Sequence, residues 1–314
     1  MIEIEKDLLD LSTLTEKEIL SILDLADSVK KDPGQYSDRL KGKTLLMIFE
    51  KPSLRTRVSF EVGMTQLGGH AIYYDTTTAP MGKGKESISD TARCASRYCD
   101  IMMARMFKHS HIIDLARSAD VPVINAMTDF SHPCQVLADL QTIREKKGRL
   151  KGLKLCYMGD SNSNVTHSLM FGCAITGMDI SVGCPEGEEY SPQREVIEKC
   201  KSIAKLSGSR IVVTHDAEEA AKDADVVYTD SWMSYHVPQD QQEARVRLLT
   251  PYQVNKGLMA SAKPDAIFMN CLPALRGMEQ TADVIDGPQS IVFDQAENRL
   301  HAQNALMLKL LKAE

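Results

Sequence analysis

The chain has 314 residues, 43% of them hydrophobic and 25% charged, an ordinary composition for a globular protein of roughly two domains. Its net charge of −6 argues against nucleic acids and anionic membranes as partners, so an anion site must come from locally grouped Arg, Lys and amides. No apolar run approaches the roughly 20 residues that cross a bilayer, and the acidic N-terminal stretch does not resemble a secretory signal. The eight cysteines form no CxxC pair, which favours reduced thiols in a cytoplasmic protein over disulfides or a zinc site.

Alternating strands and helices are predicted for the first half of the chain. Thr15-Glu-Lys-Glu18 is a capping box that begins a helix running from Ile19 to Val29. Runs of apolar and β-branched residues predict the strands 44–49, 71–75, 101–107 and 121–127. Helical periodicity predicts the helices 54–67, 87–98, 110–118 and about 135–147.

A second series with the same alternation starts at Lys154. Its predicted strands are 154–159, 179–184, 210–215, 226–230 and 266–270, with helices at about 165–176, 192–206, 217–223 and 252–262. The predicted class is therefore α/β, with two doubly wound parallel-sheet domains and an active-site cleft between them. We expect residues 1–147, together with a C-terminal helix in 294–314, to form the first domain and residues 148–293 the second.

One stretch of the first half carries the strongest chemical signal, Glu50-Lys-Pro-Ser-Leu-Arg-Thr-Arg57. It joins the first strand to the helix predicted at 54–67, with Ser53 placed as the N-cap. The first turn would offer backbone N–H groups beside two hydroxyls and two guanidinium groups, Arg55 and Arg57. This combination is typical of a site for a doubly charged phosphate. A capped helix with two solvated arginines is the plainer alternative.

Ligands of open α/β sheets bind beyond the carboxyl ends of the strands, where the polar residues of the two halves differ. Those of the first half suit a phosphate and a carbonyl oxygen: Ser53, Arg55, Thr56, Arg57, Arg105, His132 and Gln135. Those of the second half suit an amine and a carboxylate: Asn164, Asp230, Ser234 and Cys271. We infer that one anion and one amine meet in the cleft. Taken singly, Asp230 could be a helix N-cap and Cys271 a buried apolar residue.

The sequence contains no complete copy of several other common site motifs. Gly159-Asp-Ser-Asn-Ser-Asn lacks the second glycine of GxGxxG, Gly82-Lys-Gly-Lys lacks the P-loop spacing, and neither GxSxG nor HExxH occurs. His109 and His111 are interpreted as solvated side chains and not as a metal pair.

With these residues in place, the chain resembles the aspartate/ornithine carbamoyltransferase family over nearly its whole length. Ser53-Leu-Arg-Thr-Arg57 is similar to the family's S-T-R-T-R carbamoyl phosphate motif, and His132-Pro-Cys-Gln135 matches H-P-x-Q. Met269-Asn-Cys-Leu-Pro-Ala274 is similar to H-C-L-P, and Ala296-Glu-Asn-Arg299 to the segment that opens the last helix. The motifs are specific in combination, although each alone is weak.

The resemblance implies transfer of the carbamoyl group of carbamoyl phosphate to the δ-amine of L-ornithine, giving L-citrulline and phosphate, with no metal or organic cofactor. It also implies a homotrimer or a multiple of trimers. Carbamoyl phosphate would be bound by Ser53, Leu54, Arg55, Thr56, Arg105, His132, Gln135, Leu272 and Arg299. Ornithine would be bound by Asn164, Asp230, Ser234, Tyr235 and Cys271. The catalytic groups would be Arg105, His132 and Cys271.

The chain departs from the family pattern in three places. Leu54 replaces a threonine but keeps the backbone amide, and Asn270 replaces the histidine before Cys-Leu-Pro. Tyr235 and His236 replace Met and Gly in the ornithine loop, whose Asp230 and Ser234 keep their places.

The alternatives are a carbamoyltransferase for another amine, such as putrescine or an acylated ornithine, and a non-catalytic ligand-binding protein on the same fold. A nucleotide-dependent oxidoreductase is disfavoured by the missing glycine fingerprint.

Overall fold

The computed structural model of the chain describes residues 6–81, 84–233 and 239–314. The fold divides into two compact units. Met1–Gln141 and Glu297–Glu314 belong to the first unit, and Thr142–Ala296 belongs to the second.

The first unit is built on a four-stranded parallel sheet with the strand order β2-β1-β3-β4. The strands are β1 (Thr44–Phe49), β2 (His70–Asp75), β3 (Ile101–Arg105) and β4 (Val123–Met127). The helices are α1 (Glu16–Lys31), α2 (Leu54–Gln66), α3 (Ile88–Ala95), α4 (His109–Ser118) and α5 (Pro133–Lys147), the last continuing into the second unit. Short 3₁₀ helices flank α1 at Leu11–Thr13 and Pro33–Tyr36.

The second unit is built on a five-stranded parallel sheet with the order β7-β6-β5-β8-β9. The strands are β5 (Lys154–Met158), β6 (Asp179–Gly183), β7 (Ile211–Thr214), β8 (Val226–Thr229) and β9 (Ile267–Met269). The helices are α6 (Asn164–Thr176), α7 (Arg194–Ser207), α8 (Ala217–Ala221), α9 (Gln242–Leu249), α10 (Lys256–Ser261) and α11 (Ala282–Ile285). Helix α12 (Val292–Leu310) starts in this unit and ends in the first. Gln239–Gln241 and Thr250–Tyr252 form 3₁₀ helices.

Both sheets confirm the predicted parallel α/β class, and both contain a point where the direction of winding reverses. Every residue of β3 is buried, as expected for the centre of a parallel sheet covered on both faces. The reversal falls between β1 and β3 in the first unit and between β5 and β8 in the second. Such switch points open a crevice at the carboxyl ends of the strands, so they are where ligands are expected.

The first turns of α1 and α2 follow their predicted capping signals. Thr15 accepts from the backbone N–H of Glu18, whose side chain in turn accepts from the N–H of Thr15, which confirms the capping box. Ser53 has an extended backbone with φ −161° and accepts from the N–H of Thr56 at 3.3 Å. The chain therefore passes from β1 into α2 through an ordered N-cap.

Several predicted boundaries were wrong, each for a local reason. The strand predicted to reach residue 107 ends at Arg105, because the N–H of Phe107 donates to the Glu50 carboxylate instead of a neighbouring strand. The strand predicted from residue 121 starts at Val123, since Pro122 has no N–H to donate. The helix predicted at 252–262 is the shorter α10, preceded by a 3₁₀ turn containing Pro251.

Within the described ranges, no helix is both long enough and apolar enough to span a membrane. Over the same ranges, no group of three or more His, Cys, Asp or Glu side chains is arranged to hold a metal ion.

Candidate functional site

The N-terminus of α2 forms a cradle at the switch point of the first sheet. Ser53 and Thr56 lie side by side there, with their hydroxyl oxygens 3.1 Å apart. Thr56 is buried, Arg55 is half-buried, and the Leu54 side chain is 73% exposed. The substitution of leucine for the usual threonine at position 54 therefore changes the surface and leaves the N–H groups of the turn in place.

Arg57 makes its contacts on the side of α2 and not at the cradle. Its Nε lies 3.0 Å from Glu61 Oε1, and its guanidinium group lies 3.9 Å from the centroid of the Tyr73 ring. The prediction of two guanidinium groups at the cradle therefore reduces to one from this stretch, Arg55.

A second guanidinium group reaches the cradle from α12. Arg299 is 3% exposed and donates to Gln135 Oε1 at 2.7 Å and to Thr56 Oγ1 at 3.3 Å. Its Nε donates to Gln303 Oε1 at 3.0 Å. Three predicted ligands of carbamoyl phosphate, which lie far apart in the sequence, are thus in direct contact inside the first unit.

Arg105 and His132 bring two more buried groups to the same unit. Arg105 is the last residue of β3 and pairs in register with Phe49 at the end of β1. His132 immediately precedes α5, and its carbonyl oxygen accepts from the N–H of Gln135 at 3.1 Å. Burial lowers the pKa of His132 well below its ordinary value, and nearby Arg299 and Arg105 lower it further. The imidazole is therefore neutral at pH 7 and can donate one N–H to a carbonyl oxygen.

The interpretation of His109 and His111 as solvated was wrong. Both are half-buried in the first turn of α4. His109 Nδ1 lies 2.9 Å from Thr128 Oγ1, and burial lowers its pKa. His111 Nδ1 lies 3.5 Å from Glu50 Oε1.

In the second unit, Asp230 and Cys271 are in contact beyond the ends of β8 and β9. The Cys271 thiol donates to Asp230 Oδ1 at 3.1 Å, and the N–H of Ser231 donates to the same oxygen at 2.7 Å. Both side chains are partly exposed, so their polar atoms can reach a ligand. A carboxylate and a thiol at one place suit a substrate that carries an amine.

Asn164 is the first residue of α6, which follows β5 across the same switch point. Ser163 caps this helix by accepting from the N–H of Thr166 at 3.2 Å. Tyr157, at the end of β5, has its pKa raised well above the ordinary value, first by burial and then by the charge of Asp230. Asp230 is therefore near the β5 end from which Asn164 also follows. Ser234, Tyr235 and His236 lie outside the described residues.

The segment around Leu272 is held by buried amide side chains. Leu272 has a positive φ of 55°, and its N–H donates to Asn270 Oδ1 at 2.8 Å. Asn270 donates to Gln280 Oε1 at 3.0 Å, and its own N–H donates to Gln295 Oε1 at 3.0 Å. Asn270, which departs from the family pattern, is thus the residue that fixes the backbone of Leu272.

Lys51 is a site residue without a predicted role, although it lies within the stretch 50–57 that carries the strongest chemical signal. Lys51 is 6% exposed, and its Nζ lies 5.1 Å from the centroid of the Phe107 ring. Its position between an apolar strand and a helix N-cap was the available signal. Burial of a lysine cannot be read from a single sequence, because most lysines at such turns are solvated.

Arg245 of α9 was also missed. Its guanidinium group donates to the carbonyl oxygen of Trp232 and contacts the Asp160 carboxylate. It lies 5.3 Å from the centroid of the Tyr190 ring. These contacts hold Trp232, two residues after Asp230, in place. Nothing in the sequence around Arg245 indicates them.

Comparison with known proteins agrees with this arrangement. Residues 6–145 match the family model "Aspartate/ornithine carbamoyltransferase, carbamoyl-P binding domain", and residues 151–310 match its "Asp/Orn binding domain". The ornithine carbamoyltransferase of Thermococcus kodakarensis is 52% identical over 304 residues, covering 96% of this chain and 95% of that protein.

Two solved structures are similar to this chain in three dimensions. The ornithine carbamoyltransferase of Pyrococcus furiosus is 51% identical with a TM-score of 0.91, covering 96% of each chain. An acetylornithine transcarbamylase complexed with acetylcitrulline is 30% identical with a TM-score of 0.87, covering 96% of this chain and 98% of its own. The chain described here belongs to the aspartate/ornithine carbamoyltransferase family.

Proposed function

We propose that this protein transfers the carbamoyl group of carbamoyl phosphate to the δ-amine of L-ornithine, giving L-citrulline and phosphate. The observation that carries the proposal is the buried contact of Arg299 with Thr56 and Gln135. It brings two hydrogen-bonding groups and a fixed positive charge to the N-terminus of α2. A helix N-terminus furnished in this way suits a phosphate dianion.

The phosphate end of the substrate would be bound by Ser53, Leu54, Arg55 and Thr56 through hydroxyls, backbone N–H groups and one guanidinium group. Arg299 of α12 would complete the site, and Gln135 of α5, which it contacts, would bind the carbamoyl end. The carbonyl oxygen of Leu272 would accept from the carbamoyl NH₂. This role needs a fixed backbone, which the hydrogen bond from Leu272 to Asn270 supplies.

Arg105 and His132 would polarise the carbamoyl carbonyl. As the amine attacks the carbon, negative charge develops on the oxygen, and buried donors stabilise it more strongly than water does. His132 acts as a neutral donor, because burial and the neighbouring cations keep its pKa low. Phosphate then leaves on the cradle at α2. The reaction proposed needs no cofactor, since the leaving group is already activated.

Ornithine would be bound by Asn164, Asp230, Ser234, Tyr235 and Cys271. The δ-amine must be neutral to attack, and deprotonating an alkyl amine with a pKa of about 10.4 at pH 7 costs about 4 kcal/mol. A carboxylate touching that nitrogen would raise the cost, so we assign Asp230 to the α-amino group. Cys271 would lie near the side-chain amine, and the departing phosphate would take the proton.

A ureido-product assay over a panel of amines tests the proposal. Purified protein with carbamoyl phosphate is given ornithine, putrescine or N-acetylornithine, and product and phosphate are both measured. We expect turnover with ornithine at a kcat/KM far above that of the other amines. Turnover with another amine alone would show that the type of reaction is right and that ornithine is not the substrate. Binding of carbamoyl phosphate without turnover of any amine would support a non-catalytic protein.

A different amine is the second candidate, for two reasons. Tyr235 and His236 replace the usual Met and Gly where the ornithine loop contacts its substrate. One structural relative, 30% identical, is named as an acetylornithine transcarbamylase. The 52% identity to proteins named ornithine carbamoyltransferase favours ornithine over this alternative.

The proposal includes three further features: the domain bounds, the assembly and the location. The carbamoyl phosphate-binding domain would comprise 1–147 with 294–314, and the ornithine-binding domain 148–293. The enzyme would assemble as a homotrimer or a multiple of trimers, which light scattering against the chain mass of 34.9 kDa would test. A cytoplasmic location fits the eight cysteines, all of which are free thiols.

A further inference from the structure

We propose that Lys51 is a further ligand of carbamoyl phosphate, binding the phosphate end of the substrate alongside the α2 cradle. This inference rests on the proposed function and adds a residue to its first site.

Lys51 lies at the switch point of the first sheet. It follows β1 directly and stands two residues before Ser53, the N-cap of α2. The N–H of Glu50 donates to the Arg105 carbonyl at 2.9 Å, and the N–H of Phe107 donates to Glu50 Oε2 at 2.6 Å. These bonds hold the Lys51 loop against the end of β3, which carries Arg105.

Lys51 is a buried residue, and no carboxylate of the described residues forms an ion pair with its ammonium group. The residue is 94% buried, and no hydrogen bond or ion pair joins its Nζ to any residue in 6–81, 84–233 or 239–314. Its Nζ lies over the face of Phe107, 5.1 Å from the ring centroid. A cation–π contact replaces only part of the hydration free energy that a lysine loses when it is buried. A bound anion would supply the rest.

The charged groups that face Lys51 come from three segments. Burial and the positive charge of Arg105 lower the pKa of Lys51 to about 8, and Asp129 and Glu50 raise it less. The charges of Lys51, Arg105 and Arg299 all lower the pKa of His132. Three cations thus surround one neutral imidazole, and a dianion entering among them would relieve their mutual repulsion.

Binding of the dianion should therefore be coupled to protonation of Lys51. In the ligand-free protein, a lysine with a pKa of about 8 is about three-quarters neutral at pH 8.5. A bound phosphate group would return its pKa toward 10.5 or above, so the complex takes up most of one proton from solvent. Affinity should be full below pH 8 and fall by up to about tenfold per pH unit above it.

Calorimetric titration with phosphonoacetamide, a stable analogue of carbamoyl phosphate, tests this coupling at pH 8.5. Heats measured in two buffers of different ionisation enthalpy give the number of protons taken up. The variants are Lys51→Met, which removes the charge, and Lys51→Arg, which keeps a permanent one. The matched control is Lys41→Met, on the exposed turn before β1.

The unaltered protein and the Lys41→Met variant should take up about 0.7 more protons than Lys51→Met. Lys51→Met should bind the analogue about ten- to hundred-fold more weakly. Lys51→Arg should restore most of the affinity without the extra proton, an outcome that a merely structural lysine would not give. Equal proton uptake and equal affinity in Lys51→Met and the unaltered protein would overturn the proposal. No binding by the unaltered protein would instead refute the proposed function.

Discussion

His132 should make the stability of the protein depend on pH below neutrality. In the unfolded chain its pKa returns to about 6.5, whereas burial and three neighbouring cations hold it well below that value in the fold. As pH falls through 6.5, the unfolded state binds a proton that the folded state does not bind. The contribution of His132 is thus full above pH 6.5 and is lost as pH falls toward its folded pKa.

Urea unfolding at pH 7.5 and 5.5 measures this effect by comparing the unaltered protein with His132→Gln. The free energy of unfolding should fall more steeply in the unaltered protein, by up to about 1.4 kcal/mol per pH unit below 6.5. The test compares how much the free energy of unfolding changes between the two pH values, so a variant that is less stable at both pH values still gives a result. Parallel slopes would show that His132 is protonated in the fold.

Arg299 should set the affinity for carbamoyl phosphate, because it joins Thr56 and Gln135 by buried, charge-assisted hydrogen bonds. Arg299→Gln should raise the KM for carbamoyl phosphate about ten- to hundred-fold and change the KM for ornithine much less. Arg117→Gln, at an exposed position on α4, is the matched control and should leave both constants unchanged. Steady-state kinetics with each substrate varied in turn would decide. An Arg299→Gln variant with normal constants would exclude this residue from the site.

Asp230 should act on the other substrate. Its carboxylate contacts Cys271 and the N–H of Ser231 and remains partly exposed. If it binds the α-amino group, Asp230→Asn should raise the KM for ornithine about ten- to hundred-fold and leave the KM for carbamoyl phosphate unchanged. Asp265→Asn, 75% exposed and paired with Lys147, is the control. An unchanged KM for ornithine in Asp230→Asn would contradict the assignment.

Among the elements, the segment 270–272 shows how a departure from a family motif can keep its role. Asn270 is fully buried, and its side chain holds both the N–H of Leu272 and Gln280. Leu272 adopts a left-handed backbone, with φ 55°, that a branched side chain disfavours. A neighbouring side chain that accepts its N–H offsets this cost.

Asn270→Ala should therefore lower the free energy of unfolding by about 1–3 kcal/mol, because the half-buried N–H of Leu272 and the buried Gln280 side chain both lose a hydrogen bond. It should also lower kcat/KM, since the Leu272 carbonyl would lose its fixed position. Asn270→His introduces the residue usual in the family. Its free energy of unfolding and its kcat/KM should both be higher than those of Asn270→Ala. Thermal unfolding and steady-state kinetics of the two variants would measure this difference. Indistinguishable variants would show that the side chain at position 270 does not position the loop.

The elements also differ in how far the sequence determines them. Strands such as β3 were predictable, because an unbroken apolar run of that length is typical of a doubly covered parallel strand. Helix α9 was missed because Leu249 is its only fully buried residue, so its sequence carries no apolar stripe. What holds α9 is the polar contact of Arg245 with Trp232 and Asp160, and a contact of that kind leaves no periodic signal.

At the scale of the whole molecule, the chain combines a net charge of −6 with a buried group of cations in its first unit. The N-cap signal of Ser53 predicted where an anion would bind. The placement of Arg299 beside Thr56, 243 residues earlier, could not be derived from spacing and came from the family resemblance. The burial of Lys51 could not be read from the sequence, because it arises only once β1 and β3 are adjacent.

A crystal structure of the protein soaked with phosphonoacetamide tests the central claim most directly. We expect density for the phosphonate at the first turn of α2, within hydrogen-bonding distance of Ser53 Oγ, Thr56 Oγ1 and the Arg55 guanidinium group. Density for the ligand at another place in the molecule, with that turn empty, would contradict the account.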